Sequence, residues 1–350
     1  MTETMLPATM QAAVFRAAKE VPVESVAVPA VGPGEVLVQV SHCGICGSDQ
    51  HFVLEGFAQP GQIEGHEWSG TVVAVGADVD RFAPGDLVVG GPSIRCGICD
   101  MCLAQRPSLC RQRGRVGEGA HEDGAFAQYA VRDQRTLLRV PDGLSLKHAA
   151  LAEPLAVSLH GITRSGGPQP DKRYLVTGGG PIGFLSVAAL KAFGVDDITV
   201  SEPSERRREL NRKLGANVVT PDELPTPPMS PSDTLENPFQ IVLECSGNAR
   251  AIEAGIGVLD RGGTMVIVGA SIGRPKVDAL RILLQELVVT GSSVYDHDGF
   301  ERALELLASQ KMPNDLLVEP NDFPLGTLVE TTEQLATGGL AAKAMINPWT

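Results

Sequence analysis

The 350-residue sequence predicts an α/β protein with two parts, a β-rich domain and a doubly wound parallel sheet. Two observations lead to this fold class. The length is more than twice the roughly 150 residues of an average domain. The apolar pattern also changes along the chain, because short runs separated by turns give way near residue 172 to buried strands that alternate with helices.

Short apolar runs characterise the N-terminal part of the chain. They include EVLVQV (35–40), TVVAVG (71–76) and DLVVG (86–90), each bounded by turn-forming or polar residues. Runs of this kind, rich in β-branched residues, are typical of strands in an antiparallel or barrel-like domain. A β-rich N-terminal domain is therefore expected.

Continuous apolar strands alternate with helices from residue 172 onwards. RYLVTGGG, DDITVSE, FQIVLECSG and TMVIVGAS contain predicted strands, and PIGFLSVAALKAFG and SERRRELNRKLGA are predicted helices between them. Strands that are apolar on both faces are typical of a parallel sheet covered by helices on both sides. The proline-rich segment 221–238 interrupts this pattern and is expected to be an exposed loop.

The composition argues against several classes of function. Lys and Arg number 29 against 42 Asp and Glu, and the resulting net charge of -13 disfavours general binding to nucleic acid or anionic membranes. No apolar run approaches the ~20 residues of a membrane span. The first residues lack the basic and then apolar pattern of a secretory signal, so a cytoplasmic protein without nucleic-acid or membrane partners is expected.

The seven cysteines point to metal binding or catalysis, because an odd number in a reducing compartment does not form a disulfide framework. Four of them, Cys96, Cys99, Cys102 and Cys110, follow a CxxCxxCx7C spacing. Four thiolates can surround one zinc ion completely, which makes such a site structural. On spacing alone an iron–sulfur cluster is the alternative, since ferredoxins also space cysteines by two residues.

A second candidate metal site combines Cys46 with His66 and Glu67. One thiol, one imidazole and one carboxylate form the mixed ligand set of a catalytic zinc with an open position. Cys43 and Cys46 could instead form a redox CxxC pair, although no thioredoxin-like βαβ context follows them.

A glycine motif follows the predicted strand YLVT and begins a helix, which is the context of a Rossmann dinucleotide site. In this motif Gly178 permits a tight turn, Gly180 lets a pyrophosphate approach the backbone, and Gly183 allows close helix packing. Glu202, after the next strand, would bind the adenosine ribose hydroxyls, so NAD is expected rather than NADP. The arginines at 206–208 keep NADP as an alternative, because arginine can accommodate the 2'-phosphate.

Together these motifs resemble the zinc-dependent medium-chain dehydrogenase/reductase family, which includes alcohol, sorbitol, butanediol and threonine dehydrogenases. The family's zinc signature G-H-E-x2-G-x5-G-x2-V is matched in full by Gly65, His66, Glu67, Gly70, Gly76 and Val79. The resemblance covers almost the whole chain. It implies a GroES-like catalytic domain over 1–157 and 296–350, with a structural zinc lobe over about 92–115, and a Rossmann NAD-binding domain over 158–295.

The resemblance implies two zinc ions per chain. Cys46, His66 and Glu67 are expected to bind the catalytic zinc, and the four-cysteine lobe is expected to hold a structural zinc in preference to an iron–sulfur cluster. The segment around Glu153 is similar to that of sorbitol and threonine dehydrogenases, in which an acidic residue replaces a zinc-binding cysteine. Glu153 is therefore expected either to bind the catalytic zinc or to act on it through water.

The resemblance also implies a proton relay. Zinc lowers the pKa of a bound hydroxyl. Ser48 is expected to take the proton from this hydroxyl and pass it through the nicotinamide ribose, and His51 is expected to deliver it to solvent. Further residues match family contacts to the cofactor or are expected on its nicotinamide side, and these are Ile182, Glu202, Arg207, Val268, Gly269 and Ala270.

The implied activity is the reversible, NAD-linked oxidation of a secondary alcohol to a ketone. Glu153 in place of cysteine favours a polar small molecule, such as a polyol, sugar, cyclitol, diol or threonine-like hydroxy amino acid. The alternatives are a simple alcohol dehydrogenase or aldehyde reductase, which could use NADP, and a zinc- and NAD-binding redox sensor without turnover. Because similar proteins are dimers and tetramers, a homodimer or homotetramer is expected.

Overall fold

The computed structural model describes residues 6–90, 96–112, 123–270, 273–295 and 297–350. Packing divides the chain into two compact units. Unit 1 comprises Met1–Glu153, Val318–Thr337 and Lys343–Thr350, and unit 2 comprises Pro154–Leu317 and Gly338–Ala342. In the described part of the chain, no helix is both long and apolar enough to cross a membrane.

The strands of the described residues are, in chain order, β1 (Thr9–Ala13), β2 (Val23–Ala27), β3 (Glu35–Gly44), β4 (Glu67–Val75), β5 (Leu87–Gly90), β6 (Tyr129–Asp133), β7 (Leu137–Arg139), β8 (Tyr174–Thr177), β9 (Ile198–Ser201), β10 (Asn217–Val219), β11 (Phe239–Glu244), β12 (Leu259–Ile267), β13 (Val288–Gly291), β14 (Phe323–Pro324) and β15 (Met345–Asn347).

The α-helices of the same residues are α1 (Gly47–Asp49), α2 (Asp100–Leu103), α3 (Leu146–Ala149), α4 (Ala152–Arg164), α5 (Pro181–Ala192), α6 (Glu205–Lys213), α7 (Ala249–Gly257), α8 (Ala279–Gln285), α9 (Gly299–Ala308), α10 (Asn314–Leu317) and α11 (Leu328–Ala336). A π-helical turn, Gln50–Leu54, follows α1. Short 3-10 turns lie at Pro107–Leu109, Gln134–Thr136, Pro221–Glu223 and Leu325–Thr327. The predicted proline-rich loop 221–238 contains only the third of these turns and is mostly exposed.

Unit 1 is built on two mainly antiparallel sheets. β1 pairs with β2, and the larger sheet has the order β14-β15-β3-β4-β5-β7, with β6 also paired to β3. Val36, Leu37 and Val38 of β3 are buried, so this central strand runs through the core. The prediction of a β-rich domain is confirmed. The pairing of β3 with β4 places Gly44 opposite Glu67, which decides where the segments after β3 and before β4 meet.

Unit 2 contains one parallel sheet with the strand order β10-β9-β8-β11-β12-β13. Counted from β8, this is the order 3-2-1-4-5-6 of a doubly wound Rossmann sheet. β8 and β9 are buried along their whole length, which agrees with their continuous apolar sequences. The carboxyl ends of β8, β11 and β12 are neighbours at one edge, where sheets of this type bind ligands.

The divisions between the compact units differ from the predicted domain limits. The stretch 297–317, predicted in the catalytic domain, packs in unit 2, because Phe300 of α9 lies edge-on against Tyr295 with ring centroids 4.9 Å apart. As limits of folding domains, residues 157 and 296 remain predictions. Of the predicted zinc lobe 92–115, residues 92–95 and 113–115 lie outside the described residues.

Candidate active site

Three predicted ligands of the catalytic zinc lie together in unit 1. One ligand atom from each of Cys46, His66 and Glu67 lies within 4.8 Å of the others. The β3–β4 register explains this, because Gly44 at the end of β3 lies opposite Glu67 at the start of β4. The turn that carries Cys46 is therefore held beside His66. A thiolate, an imidazole and a carboxylate at this spacing suit a zinc ion with an open coordination position.

The electrostatics of His66 show that this site stabilises positive charge. Burial lowers the pKa of the imidazole, but the Cys46 thiolate and the Asp49 carboxylate raise it by more, well above its usual value. A pocket that favours a proton on His66 also favours a bound cation, since both are stabilised by the same negative neighbours. The residues present therefore fit a zinc ion.

Glu153 lies in the first turn of α4 within electrostatic range of this group. Burial raises the pKa of its carboxyl to about 7, with His66 opposing the shift and Glu67 adding to it. Among the described residues, Glu153 is not one of those whose ligand atoms lie within 4.8 Å of one another. Its two expected roles, direct ligand or partner through water, therefore remain predictions.

Lys343 is a site residue that sequence reasoning missed. Glu67 is fully buried, and its Oε1 accepts a hydrogen bond of 2.8 Å from Lys343 Nζ, which also donates to the carbonyl of Ile45 at 3.0 Å. Burial lowers the pKa of Lys343, but Glu67 and the Cys46 thiolate raise it by more. The only sequence signal was a lysine within the apolar run LAAKAMI, 276 residues after its partner.

Asp49 is a second missed residue. Its carboxylate is fully buried, with Oδ2 accepting a 2.7 Å hydrogen bond from the Cys46 N–H and Oδ1 lying 3.8 Å from His66 Nδ1. Burial raises the pKa of Asp49 to about 6. A carboxylate beside one ring nitrogen orients an imidazole so that its other nitrogen faces a metal. The signal was an acidic residue three positions after a predicted thiolate ligand.

Ser48 and His51 are close in sequence on one helical segment. Ser48 belongs to α1, and His51 follows in the π-helical turn. His51 Nδ1 lies 2.9 Å from Glu55 Oε2, and its ring stacks on Phe57 with centroids 5.9 Å apart. These contacts fix the plane of the imidazole. The proton relay itself remains a prediction.

The four-cysteine group forms the second candidate metal centre. The ligand atoms of all four thiols lie within 4.8 Å of one another, and Cys96 Sγ is 3.5 Å from Cys110 Sγ and 3.9 Å from Cys102 Sγ. A tetrahedron with zinc–sulfur bonds of about 2.3 Å has sulfur–sulfur edges of about 3.8 Å. Backbone N–H groups of Arg111 and Cys102 lower the pKa of Cys99 to about 6, which favours the thiolate. These sulfur–sulfur distances fit four thiolates around one ion better than an iron–sulfur cluster, which would hold the cysteine sulfurs farther apart.

Replacing Cys99 with serine is expected to halve the zinc content, because three thiolates no longer close the tetrahedron. Zinc per chain, measured by inductively coupled plasma mass spectrometry, should fall from about two to about one. Cys245→Ser is the matched control, since this thiol belongs to neither metal group. Equal zinc content in Cys99→Ser and the wild-type protein would contradict the assignment.

The predicted glycine motif lies at the start of α5 in unit 2. Gly180 is the N-cap of this helix, and Gly178 has a φ of 89°, which favours glycine. A Cβ on Gly183 would lie 1.9 Å from the Gly178 carbonyl oxygen. Ile182, between them, is half-buried and its carbonyl accepts a hydrogen bond from Ser186 Oγ. The turn therefore has the close backbone approaches that a phosphate-binding loop needs.

Glu202 is buried at the end of β9, beside this loop. Its Oε2 accepts a 2.8 Å hydrogen bond from the Gly179 N–H, and its Oε1 accepts one of 2.8 Å from the Ser204 N–H. Arg207 lies against Gly180, since the Arg207 Cζ is 3.4 Å from the position that a Cβ on Gly180 would occupy. The Arg207 Nε donates a hydrogen bond to the Leu340 carbonyl. The structure thus brings the glycine loop, Glu202 and Arg207 together.

Val268, Gly269 and Ala270 follow β12 at the same edge of the sheet. The N–H groups of Val268 and Gly269 donate to the Glu244 carbonyl at 2.8 and 2.9 Å. These residues therefore lie next to the carboxyl end of β11, which neighbours the strand that precedes the glycine loop. Their predicted contact with the nicotinamide remains a prediction.

Comparisons with known proteins agree with this arrangement. A family model for the alcohol dehydrogenase GroES-like domain matches residues 32–142, and one for zinc-binding dehydrogenases matches residues 181–309. The chain is 35% identical to sorbitol dehydrogenase of Bacillus subtilis over 275 residues, 77% of each chain. It is 34% identical to L-threonine 3-dehydrogenase of Pyrococcus abyssi over 301 residues, 83% of this chain and 85% of that one.

Solved structures show the same likeness. A zinc-binding dehydrogenase from Sinorhizobium meliloti bound to NADP matches with a TM-score of 0.85 and 30% identity, over 98% of this chain and 100% of that one. The 2R,3R-butanediol dehydrogenase of Bacillus subtilis matches with a TM-score of 0.84 and 29% identity, over 97% and 99%. With both family models and these relatives in agreement, the chain belongs to the zinc-dependent medium-chain dehydrogenase/reductase family and combines its GroES-like and Rossmann folds.

Proposed function

We propose that the protein catalyses the reversible, NAD-linked oxidation of a secondary alcohol to a ketone in a polar small molecule. The substrate class is a polyol or a related sugar, cyclitol, diol or threonine-like hydroxy amino acid. The observation that carries the proposal is the convergence of Cys46, His66 and Glu67, with the Glu153 carboxyl in electrostatic range. The sorbitol and threonine dehydrogenases similar to this chain support the polar substrate class.

The residues of unit 1 would hold the catalytic metal and balance its charge. When bound, zinc would acidify the substrate hydroxyl and the nicotinamide would accept the hydride. Cys46, which follows β3, and His66, which precedes β4, supply ligand atoms, and the Asp49 carboxylate lies 3.8 Å from the imidazole Nδ1. Lys343 neutralises one carboxylate charge at Glu67, so the pocket is less negative than its carboxylates alone would make it.

The proposed relay removes the substrate proton along the helical segment after Cys46. Ser48 Oγ would accept the proton, and His51 would release it to solvent. His51 suits this role because its side chain is 29% exposed while Glu55 holds its Nδ1. The Nε2 atom is then the one that exchanges a proton with water.

NAD is the proposed cofactor. The buried Glu202 carboxylate places negative charge beside the glycine loop, where it would repel a 2'-phosphate. Arg208 is engaged by the protein, because its guanidinium donates to the Glu202 and Pro203 carbonyls at 2.7 Å and pairs with Glu205. One of the possible phosphate-binding arginines is thus already occupied.

Replacing Glu202 with glutamine is expected to reduce the preference for NAD, because the repelling charge is lost. The amide oxygen can still accept one of the two backbone hydrogen bonds, from the Gly179 or the Ser204 N–H. The ratio of kcat/KM for NAD to that for NADP should fall by about tenfold or more. Glu209→Gln, which removes an exposed carboxylate from α6, is the control. An unchanged ratio in Glu202→Gln would contradict the role of Glu202 in cofactor choice.

A substrate screen tests the proposed reaction directly. Purified zinc-loaded protein is assayed with both cofactors on sorbitol, xylitol, 2,3-butanediol, threonine and apolar primary alcohols, by absorbance of the reduced nicotinamide. We expect the highest kcat/KM with a polar secondary alcohol and NAD. High activity on apolar primary alcohols alone would establish the simple alcohol dehydrogenase alternative, and nucleotide binding without turnover would establish the redox sensor.

A homodimer or homotetramer in the cytoplasm is also proposed. An apolar face on unit 2 supports self-association, because Leu283 of α8 is 70% exposed and Val288 and Val289 of the edge strand β13 are exposed as well. Exposed apolar faces of this kind are commonly covered by a partner. Light scattering of the wild-type protein and of Leu283→Lys measures the state. If both proteins have the mass of a monomer, the proposed oligomer is wrong.

A further inference from the structure

Glu244 is a buried carboxylate in unit 2 to which the proposed reaction gives no role. It is the last residue of β11 and is fully buried. Its Oε1 accepts hydrogen bonds from the N–H groups of Ser246 at 2.8 Å and Gly247 at 3.0 Å, and from Ser246 Oγ. Burial raises the pKa of Glu244, whereas these donors lower it. Donors directed at a carboxylate oxygen are the partners of its ionised form.

Within the part of the chain that the structure describes, this carboxylate has no charged partner. In the described ranges of the chain, no lysine or arginine forms an ion pair with Glu244, and no cation is among the main influences on its pKa. Its donors among the described residues are neutral backbone N–H groups and one hydroxyl. Its negative potential therefore extends into the surroundings instead of being cancelled by a neighbour.

The turn that Glu244 organises lies between two predicted cofactor segments. A Cβ on Gly178, the first glycine of the loop, would lie 2.8 Å from Ser246. On the other side, a Cβ on Gly269 would lie 2.3 Å from the nitrogen of Gly247. The turn at 245–248 thus lies between the glycine loop and the residues after β12 and contacts both. Because a side chain would fit at neither glycine, the turn packs directly against the backbone of both segments.

We propose that Glu244 is a positioning residue of the dinucleotide site, which holds the turn 245–248 in place and stabilises the oxidised cofactor relative to the reduced one. The second effect follows from charge, because the oxidised nicotinamide ring is a cation and the reduced ring is neutral. An uncompensated carboxylate near the ring stabilises only the former. The inference rests on the proposed function, in which residues 268–270 lie on the nicotinamide side.

The test measures the dissociation constants of NAD+ and NADH separately. NADH is titrated by its fluorescence and NAD+ by competition, on zinc-loaded wild-type protein, Glu244→Gln and the control Glu236→Gln, which removes an exposed carboxylate of the same unit. In Glu244→Gln the dissociation constant of NAD+ divided by that of NADH should rise on the order of tenfold, because only NAD+ loses a favourable interaction. The ratio in Glu236→Gln should equal that of the wild type.

Two further variants separate charge from shape. Glu244→Asp keeps the charge but shortens the side chain, and Ser246→Ala removes one donor, so both should weaken the two nucleotides equally and leave their ratio unchanged. An unchanged ratio in Glu244→Gln, or a ratio shifted in Glu244→Asp as far as expected for Glu244→Gln, would overturn the inference. If Glu244→Gln does not fold, Glu244→Asn takes its place beside the charged Glu244→Asp, and an equal ratio in these two variants would overturn the inference. Failure of the wild-type protein to bind either nucleotide would instead overturn the proposed function and the inference with it.

Discussion

Cys46→Ser is expected to lower kcat/KM by about a thousandfold, which corresponds to about 4 kcal/mol of lost transition-state stabilisation. The serine hydroxyl does not ionise near neutral pH, so the group formed with His66 and Glu67 loses its anionic sulfur ligand. Steady-state kinetics and zinc analysis of the same preparation measure the effect. The zinc content should fall by about one ion per chain while the four-cysteine site stays loaded.

Cys43→Ser is the matched control for this experiment. Cys43 is a fully buried thiol three residues earlier, and it does not belong to the group of metal-ligating atoms. Its replacement should leave zinc content unchanged and alter turnover little. If Cys46→Ser retains wild-type turnover, the proposed zinc mechanism is wrong.

Lys343→Met is expected to destabilise the protein by about 3–5 kcal/mol, the usual cost of removing one partner from a buried ion pair. Methionine leaves the Glu67 carboxylate buried without its cation, and the Ile45 carbonyl also loses a donor. Urea denaturation of the zinc-free protein, followed by circular dichroism, measures the change without a contribution from bound metal. The double variant Glu67→Gln with Lys343→Met should recover part of the loss, since no unpaired charge remains.

An exposed ion pair in the same unit provides the control. Lys19 Nζ lies 2.7 Å from Glu333 Oε1, and both side chains are well exposed. Lys19→Met should therefore cost less than about 1 kcal/mol. A cost for Lys343→Met no larger than that for Lys19→Met would show that the buried pair contributes nothing.

The sequence predicted those parts of the fold and site that depend on local patterns. The apolar strands around YLVT and ITVS predicted a parallel sheet, and β8 and β9 are neighbouring parallel strands in it. The spacing of the four cysteines predicted a group that the structure brings within 4.8 Å. Each of these signals is contained in a short segment, so no knowledge of tertiary structure was needed.

Residues whose roles arise from long-range packing could not be predicted. The role of Lys343 depends on the pairing of β15 with β3, which brings the C-terminal segment to Glu67. Glu244 ends an ordinary apolar strand, and only the close approach of Gly178 and Gly269 shows what its turn supports. The predicted limit at residue 296 remains a prediction, but no local signal records the packing of Phe300 on Tyr295 that accompanies 297–317 in unit 2.

The long separation of Glu67 and Lys343 along the chain also determines when the metal pocket can be completed during synthesis. Glu67 leaves the ribosome 276 residues before Lys343. At translation rates of about 5–20 residues per second, Lys343 is synthesised roughly 14–55 s after Glu67. Through that interval the nascent pocket contains Cys46, His66 and an unbalanced carboxylate. Full charge balance at the pocket therefore becomes possible only when the last strand has been translated.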